Sequence, residues 1–505
     1  MSEGSYRPEL EDEEIPRRLG VAALAHDAAI YGVTRVLLKS LAFVLVPIYA
    51  RFLTPEQFGI LELLLAAGAF VNVVIAANMD GVFGRFFFDR DDPAWRRHII
   101  TLYFVVESIY PAVVVGGLIL FAGPISERLT GSTAYTALLV IALADVYLTN
   151  IVDLPMNLCR LRRKPVTFAA YSLARGLTQV VFTVLLVVVW ELEIKGILVA
   201  SLVAVCVAFV LTLREWVRDL TRRADWRVGL EMVSFAWPGI IGGLSFYVLN
   251  LVDRFFIQAY HGAAANGLYG TAFRYSQVVL VGVIAFRLGW SQWHYSWLHS
   301  GRHPEMVARG GLYYYFGAGF LAVLVSAWIL PVFHLLMPTD YWDATQAVAP
   351  LALAGVATGA FSLYTVGLAV LKRQRLIPVM AVAGAALALA LYFLLIPPFS
   401  FEGAAWATAA SLTGLAVLVY VVSNRMYPVP WDWRRVGTAV FLTVGLCVAS
   451  LLIDAFVPFS VSLPIRLGIT LAYPLGLVTL GFFPPGDLAA LRSRLSHPKS
   501  RSRRS

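Results

Sequence analysis

The feature that most constrains this chain is a recurrence of long apolar runs. Fourteen stretches, near 28–49, 57–78, 99–121, 136–157, 166–189, 196–213, 233–257, 267–289, 311–336, 345–370, 378–396, 403–423, 436–456 and 466–483, are apolar over nearly their whole length. A helix that crosses a bilayer needs about 20 such residues. Hydrocarbon offers the backbone no water, so each run must satisfy its own N–H and C=O groups, which a helix does. Of the 505 residues, 59% are hydrophobic and 14% charged, with a mean hydropathy of +0.73. Soluble domains run at about 45–50% and about 25%. A soluble globular enzyme of this size is excluded, and so is a disordered chain. The expected fold class is an all-α polytopic membrane protein with about 14 transmembrane helices.

Charge sets the expected orientation. The first 27 residues carry seven acids and lack the apolar core of a signal peptide, which predicts a cytoplasmic N-terminus. Counted from there, the cytoplasmic segments hold 30 of the 40 Lys and Arg and the external loops only Arg51, Arg128 and Lys195. That is the positive-inside pattern. It accounts for the formal net charge of +9 without nucleic acid as a partner. The tail Arg501-Ser502-Arg503-Arg504 reads as a membrane-surface anchor. The expected location is a bacterial inner membrane, with both termini cytoplasmic and membrane lipid as the surroundings.

The chain also repeats itself. Arg51-Phe52-Leu53 followed by Gly59-Ile60-Leu61 parallels Arg254-Phe255-Phe256 followed by Gly267-Leu268-Tyr269. LCRLRRKP (Leu158 to Pro165) parallels LKRQRLIP (Leu371 to Pro378), and Glu193 and Gly196 parallel Glu402 and Gly403. The order predicts two six-helix lobes inserted the same way, plus two C-terminal helices. The expected division is 1–27 (acidic segment), 28–231 (spans 1–6), 232–435 (spans 7–12), 436–483 (spans 13–14) and 484–505 (basic tail). Two facing bundles make a transporter, with substrate between them and rocking as alternating access.

Charged residues within the spans are candidate sites, because each costs about 2.5–3.5 kcal/mol at a helix centre. Arg35 and Lys39 are four apart and share one face of span 1. They read either as an anion site or as a pair neutralised by acids such as Glu107 or Asp145. Arg175 with Gln179, and Arg274 with Gln277, are second candidate contacts for an anionic head group, with structural pairing the alternative. Asp145, Thr149 and Asp153 form a polar stripe on span 4, and span 7 ends in Asn250, Asp253 and Arg254. Asp145, Asp153, Asn250 and Asp253 are candidates for coupling to Na⁺ or H⁺. For Asp253 a helix-end ion pair is the better reading. Glu62 and Asp454 stand alone.

Enzyme chemistry finds little support. There is no phosphate-binding GxxxxGK[ST] loop and no HExxH. Cys159, Cys206 and Cys447 are far apart in sequence, His294, His299 and His303 fit a solvated loop better than a metal site, and Asp89-Arg90-Asp91 lies in a short basic loop. The expectation is a protein that is not an enzyme and has no metal or cofactor.

Several segments resemble a known family. PIYARFLTPEQFGILEL (Pro47 to Leu63), FAWPGIIGGLSFYVLNLVDRFFI (Phe235 to Ile257), GLYGTAFRYSQ (Gly267 to Gln277) and FEGAAWATAAS (Phe401 to Ser411) are similar to Wzx-type polysaccharide flippases. Those belong to the multidrug/oligosaccharidyl-lipid/polysaccharide exporter superfamily. The resemblance implies two six-helix lobes plus two extra spans. It also implies that undecaprenyl-pyrophosphate-linked oligosaccharide is moved across the membrane for O-antigen, capsule or exopolysaccharide, with polysaccharide polymerase machinery as a partner. Arg35 or Lys39, and Arg274, occupy places that match pyrophosphate-binding cations. The full arginine set of the peptidoglycan-precursor branch is missing from spans 1 and 2, which turns the reading away from lipid II. The alternatives are an ion-coupled multidrug or cation antiporter of the same superfamily, a lipid II flippase, and a membrane glycosyltransferase or polymerase.

Overall fold

The computed structural model describes residues 21–483 apart from 78, 222–224 and 299; the side chains of a few others, Arg35 and Lys39 among them, lie outside the description. Most of the acidic N-terminal segment and the tail from 484 lie outside it as well. The described residues form helices and no strand: α1 (Val21–Phe52), α2 (Pro55–Ala76), α3 (Met79–Phe87), α4 (Pro93–Leu120), α5 (Ala122–Thr130), α6 (Thr136–Leu161), α7 (Pro165–Thr183), α8 (Glu193–Val217), α9 (Trp226–Ala236), α10 (Pro238–Leu251), α11 (Asp253–Ser296), α12 (His303–Leu336), α13 (Thr345–Tyr364), α14 (Val366–Val370), α15 (Leu376–Met426), α16 (Trp433–Phe456) and α17 (Phe459–Thr479).

Helix starts follow from local chemistry. Thr54 caps α2 by accepting from the Gln57 N–H at 3.2 Å, while the Gln57 side chain accepts from the Thr54 N–H at 3.0 Å, with Pro55 in the first turn. Asp92 caps α4 by accepting from the Ala94 N–H at 2.9 Å and the Trp95 N–H at 3.3 Å, ahead of Pro93.

Twelve described stretches are long and apolar enough to cross a membrane. Two of them, 226–296 and 376–426, are far longer than one crossing needs. Each doubles back at a single non-helical residue, Gly262 (φ 79°) and Ser400 (φ 53°). The proof is in contacts across the turns. The Tyr269 hydroxyl donates to Asp253, and Tyr392 meets Thr408 at 3.2 Å. Sixteen residues of continuous helix would hold either pair about 24 Å apart. With the two reversals resolved, the described residues hold fourteen helical stretches of this kind, and the chain is a multi-pass membrane protein.

Loops meet at two ends. At one, Arg162 pairs with Asp219 at 2.7 Å and Lys164 with Glu215 at 2.9 Å, and His303 meets Tyr427 at 2.6 Å. This end carries the basic loops and is called the basic end below. At the opposite end the Tyr341 hydroxyl donates to the Leu53 carbonyl at 2.8 Å, and His261 contacts the Ile396 carbonyl at 2.9 Å, joining the two reversals.

Helices α1, α2, α4, α6, α7 and α8 pack among themselves, as do α10 to α13 and α15. The two groups meet chiefly where α2 crosses α11, and also through α2 with α10 and α1 with α11. The α2–α11 crossing is close because it is built on glycine. A Cβ on Gly59 would lie 1.7 Å from the Ala263 carbonyl oxygen, and one on Gly267 would lie 1.9 Å from that of Pro55. Asn266 donates to the Gly59 carbonyl at 3.0 Å across the same crossing. Small residues let backbones approach where lipid gives no hydrophobic drive for helix pairing.

Helices α16 and α17 pack on α12. The fully buried Arg466 of α17 fixes them there. It pairs with Asp454 of α16 at 2.5 Å and donates to the Ala327 carbonyl of α12 at 2.7 Å and to Ser462 at 3.1 Å.

Candidate functional site

Just inside the Gly59–Gly267 crossing lies a buried ionic network. Glu62 is on α2, one turn from Gly59, and Gly270 on α11 leaves room for it: a Cβ there would meet the Glu62 Cγ at 2.4 Å. One Glu62 oxygen accepts from Arg254 Nε at 3.2 Å, and the other from Arg274 Nη2 at 2.5 Å and Nε at 2.8 Å. Arg254 also pairs with Asp253 at 3.0 Å and donates to the Asn250 carbonyl at 3.1 Å. The second oxygen of Asp253 accepts from Tyr269 and, at 3.4 Å, from Thr408. Glu62, Asp253 and Arg254 are 5%, 0% and 2% exposed. Two acids and two arginines balance, as a buried network requires. Aromatic faces complete the cage: the Arg254 guanidinium lies 4.6 Å from the centre of the Phe273 ring, and that of Arg274 lies 5.2 Å from Phe58. The network ties α2 to both arms of the Gly262 reversal and to α15.

Arg274 differs from Arg254 in having a free side. Its side chain is 24% exposed. With Gln277 it lines a cavity of about 360 Å³ whose other wall is Ser40, Phe43, Val44 and Val46 of α1. A partly exposed guanidinium with spare donors on a cavity wall can take an anion in bidentate fashion. Arg35 and Lys39 lie on α1, toward the basic end from this wall, and their side chains fall outside the described residues.

A second polar cluster lies within the first group of helices, along α6. Arg175 of α7 donates to Thr149 at 2.9 Å, and Asp145 and Asp153 lie near its charge. One Asp145 oxygen is buried without a partner. Asn150 donates to the Glu107 side chain at 2.7 Å and to its backbone carbonyl at 3.2 Å. Tyr103 donates to Asp80 at 2.6 Å, and Asn157 donates to the same Asp80 oxygen.

The structure therefore divides the sequence candidates. Arg274 and Gln277 share the cavity, whereas Arg175 and Gln179 are not among its lining residues. Arg175 belongs with Asp145 and Asp153. Asp253 is the ion-paired residue its place at a helix end suggested, and Asn250 donates back to the Phe246 carbonyl of its own helix at 2.8 Å. Among the histidines, the His294 and His303 rings lie 5.8 Å apart, and His299 is outside the described residues. Among the described residues no group of three or more His, Cys, Asp or Glu could hold a metal ion. Sequence reading missed the role of Glu62, which stood alone in an apolar run. Its isolation was itself the signal, since a lone acid in hydrocarbon implies a partner from another helix. Glu107 and Asn150 were missed as a pair because they lie on different spans.

Comparison with known proteins bears on the fold and the family. The lipid II flippase MurJ, in an inward closed conformation, superposes with a TM-score of 0.63 at 12% identity, covering 87% of this chain and 99% of that one. An inward-facing multidrug resistance MATE family transporter of the MOP superfamily gives 0.62 at 11% identity, covering 80% and 95%. A mutant of the MATE transporter VcmN of Vibrio cholerae gives 0.54 at 14%, covering 81% and 98%. At these identities the likeness is one of fold. No curated protein matches the chain by sequence. The profile of a family described as polysaccharide biosynthesis protein matches residues 24–287, just over half of the chain. The chain belongs to that polysaccharide biosynthesis protein family.

Proposed function

We propose that this protein is a flippase that moves undecaprenyl-pyrophosphate-linked oligosaccharide repeat units across the cytoplasmic membrane for surface polysaccharide synthesis. The observation that carries the reading is Arg274: a guanidinium on the wall of the α1–α11 cavity, held from behind by Glu62, in a chain of the polysaccharide biosynthesis family. Its free donors face the cavity and suit a diphosphate. Arg35 and Lys39 supply further positive charge along α1. No bond is made or broken, so no catalytic residue is needed.

The mechanism follows from the same contacts. The bundles 28–231 and 232–435 rock about the cavity, with both termini cytoplasmic. The α2–α11 crossing and the Glu62 network hold the opposite end shut. A diphosphate approaching from the basic end competes with Glu62 for Arg274, because both are anions seeking the same donors. Once Arg274 turns to the substrate, α2 loses one of its two ionic ties to α11. The sugars pass through the wet space between the bundles and the prenyl chain stays in lipid.

The test is lipid analysis of a deletion strain, with surface polysaccharide assayed in parallel. Undecaprenyl-pyrophosphate oligosaccharide accumulating on the inner leaflet with loss of surface polymer is the expected result, and it identifies the sugar. Normal lipids and normal polymer would overturn the reading and favour the antiporter of the same superfamily, to be checked by resistance to cationic dyes.

A further inference from the structure

Three acids are buried among the described residues: Glu62, Asp253 and Glu107. The first two are ion-paired with arginine. Glu107, 4% exposed and in the middle of α4, has no cation. Its hydrogen-bond partner is the Asn150 amide. The charged groups that face it are Asp80 of α3 and Asp153 of α6, both acids. Helices α2 and α9 add an apolar wall: Glu107 borders a groove of about 430 Å³ lined by Ile75, Val106, Trp226, Leu230 and Val233 among others. The tyrosines near it on its own helix are Tyr103, bound to Asp80, and Tyr110 on the groove.

An ionised carboxylate in such a place is costly, because nothing repays its lost hydration. The charges of the whole cluster lean the same way. Asp80 and Asp153 face Glu107 with the same sign of charge, while Arg175 lies near Asp145 and Asp153, and Arg160 at the end of α6 lies near Asp153. A bound proton removes the charge of Glu107 without any counter-ion from the protein.

A polar face of α6 leads away from the site. Asn150, Asp153, Asn157 and Arg160 recur at i, i+3, i+7 and i+10 on α6, which is one helical face. The stripe runs from Glu107 to the basic end, and Asp153 and Asp80 are exposed along it.

We infer that Glu107 is a proton-binding site, loaded from the basic end along the polar face of α6, and that its protonation is coupled to transport. This rests on the flippase reading for its cargo and names the ion that drives it. The step is a proton transfer alone: a proton from water at the basic end joins a Glu107 oxygen, giving a neutral carboxylic acid. Asn150 holds the other oxygen in place through its amide.

The test uses the purified full-length protein and two readouts. The first needs no cargo: infrared spectra at neutral pH should show a carboxylic-acid C=O band that shifts in D₂O and is lost in Glu107→Gln. Gln keeps the volume and the acceptor for Asn150, so folding is preserved. Absence of the band, its persistence in Glu107→Gln, or its loss on adding Na⁺ would overturn the proposal, the last in favour of a cation site. The second is transport of lipid-linked oligosaccharide into liposomes under a pH gradient. A one-unit step should change the wild-type rate by up to about tenfold, the ceiling for one proton. Glu107→Gln should be flat and Glu107→Asp should restore the response; a full response in Glu107→Gln would overturn it. A band that behaves as expected in a protein that moves no oligosaccharide would sink the flippase reading while leaving the proton site intact.

Discussion

Glu62 and Arg254 are 192 positions apart in sequence and 3.2 Å apart in the structure, both buried, one on each side of the contact between the two groups of helices. Removing one partner of such a pair leaves an uncompensated buried charge, at a cost of about 3–5 kcal/mol. Glu62→Ala should therefore lower the unfolding temperature in detergent. It should also loosen the end opposite the basic end, so that a cysteine at Ala263 reacts faster with a water-soluble maleimide once the exposed native Cys206 is replaced. Unchanged labelling would show that the network does not hold this end closed.

The glycine crossing gives a sharper contrast. Gly59→Ala must push α2 off the Ala263 carbonyl, since 1.7 Å is far inside any contact distance. Loss of export with normal membrane insertion is expected. Gly117→Ala is the control, because a Cβ there meets nothing within 4 Å. It should be neutral or more stable by about 0.5–1 kcal/mol, the penalty of glycine within a helix. Equal effects from the two would remove the crossing from the mechanism.

At the cavity, Arg274→Lys keeps the charge but loses the planar fork. Losing a charge-assisted hydrogen bond costs about 1.5–3 kcal/mol, so export should fall at least about tenfold, and further in Arg274→Ala. The double variant Arg35→Ala/Lys39→Ala should also reduce export without reducing insertion. Wild-type export from that double variant would remove α1 from the diphosphate site.

The last two spans offer a test of anchoring. Asp454→Asn leaves the fully buried Arg466 without its carboxylate and should cost about 3–5 kcal/mol by the same argument. Asp454→Leu/Arg466→Leu should recover part of that loss, because an apolar pair of similar volume often replaces a buried ion pair at little cost. Thermal unfolding of both variants in detergent separates these outcomes. A double variant as unstable as the single one would mean that the Arg466 bonds to Ala327 and Ser462 carry the anchor.

Much of the fold was legible because the bilayer acts on each segment by itself. The span expected near 57–78 from its apolar run is α2, and its start is set locally by Thr54, whose cap needs only residues three positions away. The reversal near Ile396-Pro397-Pro398 is a different case. Helix α15 runs through both prolines and turns at Ser400, so hydropathy placed the two spans while the conformation of one residue made the turn. The candidate site was legible residue by residue and not as pairs. Arg274 stood out as a cation in hydrocarbon; its partner Glu62, 212 positions away, could not be matched to it by any local rule.

The sequence alone determined that this chain spans a membrane many times, which loops are basic, and which charges would need an explanation. These follow from transfer between water and hydrocarbon, a property of each residue and its near neighbours. The tertiary structure decided which charges are satisfied. It gave Glu62 two arginines, gave Asp253 the arginine beside it and a tyrosine sixteen residues on, and left Glu107 with an amide. Ion pairing depends on distances of a few ångströms between helices, and those distances are set by packing such as the Gly59–Gly267 crossing, which no single segment encodes.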